Sequence, residues 1–518
     1  MASLTLDRGS LLLSFRSVTS RLKVGVAVDT AGSQTAEWIG EFLEWLKGID
    51  CLDVQVFSAA AAPKPAAFKP AAPSGLFERI YSRSRGVYDP FRARPIPAGI
   101  EVGSSSAAQL DIVLWLNASK PVGYTSRFGA LSLQLGAQQH LPYFWDEPAR
   151  EQVLTDVTVL WHDRQKVRAL RTAQLRTHQG LDFTRNAAQP LAAACQMIAS
   201  LCLEILADGE AWLVRARQMP EQQGCASPST YPSNIDAGMF LARKLARSMR
   251  LRSEVRGRTK RWLTALRSVA GGEYRVIPTA DGSQMADPFL VEDQGRTFLY
   301  FEQIPPGTKK GRLACLEILA DGSFTEPVVI LDRQDHISYP CVFRDRGDYY
   351  MIPETGASER VDLFRAMRFP YEFELVHTYV TGVGLSDTTP VQVQVEGIWY
   401  FFTTTEDPFM QTLLFWSERL DGEWKLHPRS PVSCSAAHSR SAGAIAMHQG
   451  RLLRPTQDCS VRYGYAMAMN EIVRLTPTEF EERKVDTILP TWRPGLIATH
   501  TINRSSKFEV IDGATYKI

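Results

Sequence analysis

Acidic residues recur at fixed distances from turn glycines in the C-terminal half of this chain. Asp287 lies eight residues before one such glycine, and Asp387 lies ten residues before another. Glu302 and Glu354 each follow a turn glycine by seven residues. Carboxyl groups that meet in pairs can serve as general acid and base, as in the hydrolysis of glycosidic bonds. The pattern therefore points to a saccharide site with carboxylates available for proton transfer.

An internal repeat of about fifty residues produces this spacing. Four segments align on Gly295, Gly347, Gly397 and Gly450, at intervals of 52, 50 and 53 residues. Each segment has an apolar strand, a tight turn with glycine at the positive-φ position, and an aromatic-rich strand. Such hairpins, repeated with this period, are typical of β-propeller blades. A weaker fifth copy spans 500–518, and a strand at 274–277 would close the ring beside it, so we predict five blades.

A hairpin places the start of its first strand beside the end of its second, so these polar positions share one end of their blades. If the first strands are innermost, the side chains ring one mouth of the central channel. The other predicted members are His336, Tyr339, Thr404, Arg440, Gln457, Asp458, Tyr463 and His500. Three interpretations stay open: a catalytic pocket, a pocket that only binds, or a structural role. In the structural interpretation the aspartates bind backbone N–H groups at the blade starts, and Arg440 neutralises Asp458.

The N-terminal half alternates apolar strands with helices. Strands are predicted at 23–29, 52–57, 111–117 and 156–161, and a buried helix at 190–206. Strands that are apolar throughout and separated by helices indicate a parallel sheet covered on both faces. The expected fold is an α/β, Rossmann-like domain with a mostly parallel sheet. The Ala/Pro-rich stretch at 58–75 is interpreted as a spacer.

A strongly basic segment separates the two halves. Residues 241–267 carry ten Lys or Arg against the single acid Glu254, a local net charge of +9 within a chain of net charge +2. Intermittent apolar residues give the segment one non-polar face. It is interpreted as a solvated helical linker, as a helix attracted to an anionic membrane surface, or as a nucleic-acid contact. Scarce aromatic stacking partners make nucleic acid the weakest of these.

Composition bounds the remaining possibilities. Of the 518 residues, 44% are hydrophobic and 22% are charged, which excludes wholesale disorder. This length predicts about two to four domains. The net charge of +2 gives no global field for nucleic acid. The longest apolar stretch, 191–206, contains Gln196, Ser200 and Glu204 and is too short and polar to span a bilayer.

Targeting and cysteine patterns favour the cytoplasm. Asp7 and Arg8 precede a very short apolar run, which makes the N-terminus a poor signal peptide. The eight cysteines are scattered, without CxxC pairs or histidines at metal-ligand spacing. We therefore expect no structural metal and a reducing compartment.

The C-terminal motifs resemble a known family. MADPFLVEDQGRTFLYFE, HISYPCVFRDRGDYYMIPE, RSAGAIAMHQGRLLRPTQDCSVRYG and the terminal THTIN and VIDG are similar to the N-terminal region of glucosamine inositolphosphorylceramide transferases and their bacterial relatives. The resemblance implies a five-bladed propeller of the family 43 glycoside hydrolase type. In the plant proteins the glycosyltransferase domain lies downstream, and we do not expect it within 1–518.

The same resemblance suggests roles for three carboxylates. Asp287 matches the first-blade aspartate that acts as base in family 43 hydrolases, and Asp387 matches the third-blade aspartate that tunes the acid. Glu354 is the nearest candidate for the acid. An inverting mechanism would need two carboxyl groups about 6.5–9.5 Å apart.

The N-terminal half resembles formyltransferase-like domains. Its motifs are KVGVAVD, DIVLWLN, GALSLQLG, LPYFWDEP, LTDVTVLWHD and TRNAA. The stretch expected to carry the family's histidine reads Leu131 to Leu135, so folate-dependent formyl transfer is not expected. Asn117 is a candidate cofactor contact, whereas His140, His162 and Asp163 are interpreted as loop or turn residues. The glycine-poor turn at 31–33 does not support NAD.

These inferences divide the chain into a tail (1–22), a formyltransferase-like α/β domain (23–225), a basic helical linker (226–272) and a propeller (273–518). The first hypothesis is a glycosyltransferase-like protein of cell-surface glycan or glycolipid synthesis. Its α/β domain would bind a donor such as a nucleotide sugar near 31–34, and the propeller mouth would bind the acceptor. The alternatives are an inverting glycoside hydrolase and a non-catalytic glycan-binding module.

Overall fold

The computed structural model describes residues 20–28, 34–58, 90, 92–100, 102–103, 109–116, 126–135, 146–164, 166–177, 183–222, 233–255, 259–393, 397–405 and 410–517. The chain divides into two compact units, residues 1–251 and 252–518. Asn117, His140 and the turn at 31–33 lie outside the described residues.

The N-terminal unit is built on a seven-stranded mixed sheet. The described strands of the unit are β1 (Leu22–Val28), β2 (Gln34–Ala36), β3 (Leu52–Ser58), β4 (Ala93–Pro95), β5 (Val102–Gly103), β6 (Ile112–Trp115), β7 (Ala130–Leu135), β8 (Leu154–Asp163) and β9 (Lys166–Arg176). The sheet order is β5-β3-β1-β6-β7-β8-β9, while β2 and β4 pair separately. The first five strands in this order are parallel to one another. Strand β8 runs antiparallel to both of its neighbours, β7 and β9.

Five helices lie in the described part of this unit and the segment that follows it. They are α1 (Glu37–Lys47), α2 (Asp146–Ala149), α3 (Phe183–Asp208), α4 (Glu210–Gln218) and α5 (Asn234–Val255). The apolar face of α1 buries Trp38, Phe42 and Leu46. Within the described residues, α3 alone is long and apolar enough to cross a membrane, but 83% of its apolar stretch is buried in the unit. It is therefore packed as a core helix.

The predicted strands are present, but the sheet is mixed rather than parallel. Along β8, Thr155, Val157, Val159 and Trp161 are buried, while the intervening residues are more exposed. A strand with one buried face suits an antiparallel pair better than a parallel layer covered on both sides. The hairpin β8–β9 is thus the main departure from the expected Rossmann-like arrangement.

The C-terminal unit is a five-bladed β-propeller, as predicted. The strands of the closing blade are β10 (Thr259–Ser268), β11 (Gly271–Val276), β28 (Leu496–Ala498), β29 (Ile502–Arg504) and β30 (Phe508–Lys517). The first two repeats form β12 (Gln284–Asp293), β13 (Arg296–Ile304), β14 (Arg312–Ile318), β15 (Val328–Leu331), β16 (Ser338–Asp345), β17 (Asp348–Glu354), β18 (Arg360–Arg368) and β19 (Glu372–Thr381). The third and fourth form β20 (Leu385–Val393), β21 (Ile398–Thr405), β22 (Thr412–Ser417), β23 (Lys425–Leu426), β24 (Ala446–His448), β25 (Arg451–Asp458), β26 (Ala466–Leu475) and β27 (Phe480–Ile488). A 3₁₀ turn spans Gly356–Ser358.

The repeat glycines occupy the hairpin turns as expected. Gly295, Gly347, Gly397 and Gly450 have φ between 68° and 96°. In three of these turns the preceding residue also has positive φ, near 48°. Two successive positive-φ residues match the twist of the flanking strands in a two-residue hairpin.

Equivalent bulges open three of the blades. Asp287, Tyr339 and Asp387 have φ of 49°, 48° and 50°, at points where the first strand slips its register against the second. Positive φ is uncommon for residues other than glycine, especially for a bulky tyrosine. Bulges redirect side chains at strand ends, and here they set the direction of two of the predicted site carboxylates.

The basic segment divides between the two units. Helix α5 ends at Val255, and Thr259–Ser268 pairs with Phe508–Lys517 along its whole length. The expected helical linker over 226–272 was therefore wrong for its C-terminal part, which is the strand that closes the ring. The basic residues of β10 made this segment look like part of a charged helix. In the structure two of them have partners within the propeller: Arg261 donates to the carbonyl of Gly282, and Arg267 pairs with Glu509.

Candidate functional site

A guanidinium group links the carboxylates of the second and third blades. Nε of Arg440 donates to Oδ2 of Asp387 at 2.6 Å, and a terminal nitrogen of Arg440 donates to Oε2 of Glu354 at 2.8 Å. The side-chain amide of Gln457 also donates to Oδ2 of Asp387, at 2.9 Å. Residues from three blades thus meet at one end of the ring, as the repeat alignment predicted.

A second cluster forms where the closing blade meets the first. Asp512, which is fully buried, accepts the backbone N–H groups of Asp287, His500 and Thr501 at 2.9–3.1 Å. Nδ1 of His500 lies 2.6 Å from Oδ2 of Asp512 and 3.8 Å from Oδ1 of Asp287. The hydroxyl of Thr501 donates to Asp287 at 2.7 Å. Asp512 therefore organises the loop that presents His500 and Thr501 to Asp287.

Glu302 is the least satisfied carboxyl group of the site. It is buried, and its Oε1 has no hydrogen-bond partner among the described residues. Nε2 of His336 lies 3.5 Å from that oxygen, and the backbone N–H of Gly311 donates to Nδ1 of the same ring at 3.0 Å. A Cβ at position 311 would lie 2.1 Å from Oε1 of Glu302. The glycine at 311 therefore makes room for this carboxyl group.

Burial and mutual repulsion set the pKa values here. Burial, followed by the neighbouring carboxylates, raises the pKa of Glu302 well above its usual range. Burial likewise raises the pKa of Asp287, although His500 opposes the shift. Burial also acts on Glu354, but the Arg440 charge and hydrogen bonds outweigh it and lower the pKa of Glu354. The site thus holds carboxyl groups of two kinds, those with a raised pKa and one with a lowered pKa.

The neighbouring carboxylates favour the charged form of His500. Burial disfavours its charged form, but Asp512 and Asp287 more than compensate and raise the pKa of His500. Its ring stacks on Trp262, with 3.9 Å between centroids and 17° between planes. The ammonium group of Lys260 lies 4.2 Å from the centroid of the Trp262 ring. Strand β10 thus contributes an aromatic residue and a basic residue to the site.

Two partly exposed side chains connect the cluster to solvent. The side chain of His336 and the residue Tyr463 are each 41% exposed. The guanidinium of Arg440 lies 5.3 Å from the ring centroid of Tyr463, and that ring meets His500 edge-on. An aromatic ring beside charged hydrogen-bonding groups suits a sugar, whose apolar face packs on the ring while its hydroxyls bind the polar groups.

Asp287, His500 and Asp512 offer ligand atoms within 4.8 Å of one another, a spacing that a metal ion could use. Three backbone N–H groups, however, donate to the oxygens of Asp512. A cation bound there would compete with those donors. The donor set fits a hydrogen-bonded aspartate–histidine pair better than a metal centre.

Several residues predicted to contact the substrate bind other protein groups instead. Tyr339 is fully buried, and its hydroxyl bonds to Thr389 and to the backbone of Gly443. The predicted substrate contact at Tyr339 is therefore corrected to a link between blades. Asp458 caps its own turn by accepting the N–H of Ser460. Arg440 binds Asp387 and Glu354, so the alternative in which it neutralises Asp458 was wrong.

Thr404 and the N-terminal candidates also lie elsewhere. The hydroxyl of Thr404 donates to the carbonyl of Ser439 within the propeller. In the N-terminal unit, Nε2 of His162 lies 2.7 Å from the hydroxyl of Ser132. Asp163 pairs with Arg217 at 3.0 Å. These two residues are the last two of β8 and flank its turn into β9, so they end a strand where they were expected to follow one.

Sequence reasoning missed Asp512, Trp262 and Lys260. Asp512 stands in the apolar strand FEVIDGATY, where a carboxylate is costly unless it is paired. That signal was available. Trp262 and Lys260 lay within the segment interpreted as a linker, so neither was considered for the channel.

The arrangement limits what chemistry each carboxyl group can perform. A general acid must carry a proton at the working pH. The ion pair with Arg440 and the lowered pKa keep Glu354 ionised, which does not suit the acid role suggested for it. Asp287 and Glu302 have raised pKa values and are better placed to donate or exchange a proton.

The propeller matches a known family model. Residues 275–510 match the model described as glucosamine inositolphosphorylceramide transferase 1, N-terminal. The chain is 30% identical over 210 residues to the protein of that name from Oryza sativa subsp. japonica, and 30% identical over 219 residues to the one from Arabidopsis thaliana. These alignments cover 39% and 41% of this chain but 28% of each relative.

Solved structures that align with part of this chain include the GH43_1 enzyme from Xanthomonas citri, with a TM-score of 0.35 and 11% identity. That alignment covers 46% of this chain and 89% of the enzyme. An exo-β-1,3-galactanase from Clostridium thermocellum aligns with a TM-score of 0.33 and 14% identity, over 40% of this chain and 52% of the galactanase. In sequence, the propeller is similar to the N-terminal region of glucosamine inositolphosphorylceramide transferases.

Proposed function

We propose that the propeller binds a saccharide in a glycosyl-transfer reaction of glycolipid synthesis. The observation that carries this proposal is the pairing of Arg440 with Glu354 and Asp387 beside Tyr463. Charged hydrogen-bonding groups of both signs next to an aromatic ring can orient sugar hydroxyls. The named relatives act, by their description, on inositolphosphorylceramide, which supports a glycolipid as the acceptor.

Hydrolysis is the second candidate, because the propeller carries aspartates at Asp287 and Asp387. The ionised state of Glu354 speaks against it, since an inverting hydrolase needs a protonated acid opposite its base. Glu302 is the alternative acid, but no hydrogen bond from the described residues orients its Oε1, which lies 3.5 Å from Nε2 of His336. Transfer or binding is therefore favoured over hydrolysis.

The N-terminal unit would bind the donor in this proposal. A nucleotide sugar presents a pyrophosphate, and the carboxyl ends of parallel strands such as β1 and β6 are where such groups bind in α/β folds. The predicted cofactor contact Asn117 follows β6 in the sequence, which agrees with this choice of region. The donor site and a cytoplasmic location stay predictions.

Thermal unfolding of the full chain with ligands tests the saccharide site. Nucleotide sugars, folates and short oligosaccharides would be screened, since a ligand at about 100 times its Kd adds roughly 2.7 kcal/mol of stability. We expect a saccharide to raise the Tm in wild type and not in Asp387→Asn. The exposed variant Asp421→Asn is the matched control. A Tm increase that survives Asp387→Asn would place the saccharide elsewhere, and release of sugar from aryl glycosides would favour the hydrolase.

We also propose that helix α5 contacts an anionic membrane surface. Ile235, Met239, Leu245 and Met249 are exposed. At about 100° per residue they fall within an arc of roughly 120° on one side of the helix. Exposed Arg243 and Arg247 lie beside this arc. An apolar stripe bordered by arginines suits the interface of an anionic bilayer.

Vesicle flotation tests this contact. Full-length protein should float with vesicles of phosphatidylglycerol and phosphatidylcholine, and less with phosphatidylcholine alone. Replacing Leu245 and Met249 by Glu should abolish flotation, while the control Val214→Glu, at another exposed apolar position, should not. Equal flotation of all variants would contradict the proposal, as would binding that ignores lipid charge.

A further inference from the structure

A cavity of about 820 Å³ lies between the fourth and closing blades, apart from the saccharide site. One wall crosses all four strands of the fourth blade, from Ala446 through Leu453 and Met469 to Val485. Three steps of about 4.8 Å between strands make this wall roughly 14 Å long. The volume of the cavity falls within the range of about 300–1,000 Å³ typical of small-molecule sites. The cavity is therefore an elongated groove of ligand size.

The wall of the fourth blade is apolar, and so is part of its rim. Ala446, Leu453, Pro455, Met469 and Val485 line it. Met447 is 65% exposed at the opening, and Leu489 is also exposed there. Neighbouring elements of a fold normally pack at crystal-like density. Apolar walls held apart over this volume are covered at lower free energy by an apolar ligand than by water.

The opposite wall carries a polar group of fixed geometry. Arg267 and Arg504 donate through Nε to the buried carboxylate of Glu509 at 2.6 and 2.7 Å. The hydroxyl of Tyr274 donates to the same carboxylate. Two guanidinium groups against one carboxylate give this wall a local charge of +1, and the carboxylate of Asp486 stands on the facing wall. Asp486 accepts the N–H of Thr487. A terminal nitrogen of Arg504 also contacts the ring of His448.

The groove and the saccharide site use opposite faces of the same strands. In β30, Ile511 and Glu509 line the groove, while Asp512 binds His500 in the saccharide site. In the adjoining segment Ile502 lines the groove, and Thr501 binds Asp287. Alternation along a strand sends successive side chains to opposite faces. The two sites are thus separate, and the groove does not depend on the saccharide proposal.

We propose that this groove binds a long alkyl chain joined to an anionic group. The chain lies along the apolar wall of the fourth blade, and the anion meets the guanidinium groups of Arg267 and Arg504. Fatty acids, alkyl phosphates and the anionic part of a phospholipid share this chemistry. A short anion lacks the contact with the apolar wall, and a neutral alkanol lacks the contact with the arginines.

Titration of the full chain with 11-(dansylamino)undecanoic acid, below its micelle concentration, tests the proposal. We expect a saturable rise in fluorescence that dodecanoate and dodecyl phosphate reverse. Dodecanol should compete at least tenfold more weakly, and butyrate should not compete. Equal competition by dodecanol and dodecanoate would show that the arginines do not bind the anionic group. Competition by butyrate would show that the apolar wall does not contribute to binding.

Variants on the exposed rim locate the binding. Ala446→Trp narrows the groove and Met447→Asp places a carboxylate at its opening, so each should weaken binding at least tenfold. Val473→Asp is the matched control, because Val473 is an exposed apolar residue of the same blade outside the groove. Unchanged circular dichroism and Tm would show that the variants fold. Absence of saturable binding, or equal affinity in all three variants, would overturn the proposal, whereas Asp387→Asn should leave dansyl binding unchanged.

Discussion

Glu354 and Arg440 form an ion pair of 2.8 Å between the second and fourth repeats, with both side chains almost entirely shielded from water. The same guanidinium binds Asp387 at 2.6 Å. One cation is therefore shared by two carboxylates, and the second carboxyl group of the pair is held with a raised pKa because burial disfavours its charge. Arg440 therefore joins the second, third and fourth repeats and also sets the pKa values of two candidate site carboxyl groups.

Removing the shared cation should destabilise the propeller. Arg440→Gln leaves Glu354 and Asp387 buried without a counter-charge, and breaking a buried pair in this way costs about 3–5 kcal/mol. Urea unfolding would measure the loss. Arg474→Gln is the control, because Arg474 pairs with Glu479 at the surface and should change stability by less than about 0.5 kcal/mol.

A double variant separates this effect from lost packing. Adding Glu354→Gln to Arg440→Gln removes the carboxyl group that Arg440 keeps ionised, so part of the lost stability should return. If the double variant is as unstable as the sum of the single variants, the ion pair is not the source of the effect.

Stability of the propeller should fall as the pH rises above about 4.5, the ordinary pKa of a glutamate. Carboxyl groups with a raised pKa, such as Glu302 and Asp287, stabilise the fold while protonated and lose that contribution as the pH passes their folded pKa. His500 has a raised pKa and the same sign, with its contribution complete below its ordinary value of 6.5. Glu354 has a lowered pKa and acts oppositely, losing its contribution as the pH falls below about 4.5.

The measurement is the Tm of wild type and Glu302→Gln between pH 5 and pH 9. The glutamine cannot ionise, so its Tm should fall less over this interval than that of wild type. Glu326→Gln, at an exposed position of the same blade, should follow wild type. Parallel curves for Glu302→Gln and wild type would show that Glu302 does not ionise in this range.

Position 311 should accept only glycine. A Cβ there would lie 2.1 Å from Oε1 of Glu302 and 2.7 Å from the carbonyl oxygen of Ile337. Gly311→Ala should therefore destabilise the chain by about 1–3 kcal/mol through overpacking, measured by urea unfolding. Gly238→Ala is the control, since a Cβ at position 238 on helix α5 meets nothing within 4 Å. That change should be neutral or stabilising by up to about 1 kcal/mol.

The sequence predicted the blades better than the contacts across the ring. Glycine turns recur with a nearly fixed period, because each blade needs the same positive-φ hairpin, so the four turn glycines and the weaker copy at 500–518 were enough to count blades. Contacts between blades follow no such period. The true partners of Arg440 lie 86 and 53 residues away, and no local pattern distinguishes them from Asp458.

The closing strand was misread for a different reason. Between Thr259 and Ser268 three basic residues continue the basic run of the preceding segment, and charge dominated the interpretation. Its partner is the last strand of the chain, more than 200 residues away. Asp512 was missed together with this pairing, because its role depends on His500 and Asp287 meeting there.

Tyr339 provides a test of the corrected site. Its hydroxyl bonds to Thr389 at 2.8 Å and accepts the N–H of Gly443 at 2.9 Å, so Tyr339→Phe leaves buried polar groups unsatisfied. We expect a loss of about 1–3 kcal/mol in the free energy of unfolding, with no change in saccharide affinity. Tyr349→Phe, which removes a partly exposed bond to Asp293, should cost less. If Tyr339→Phe instead lowers saccharide affinity at unchanged stability, the hydroxyl contacts the ligand and the structural role assigned to it is wrong.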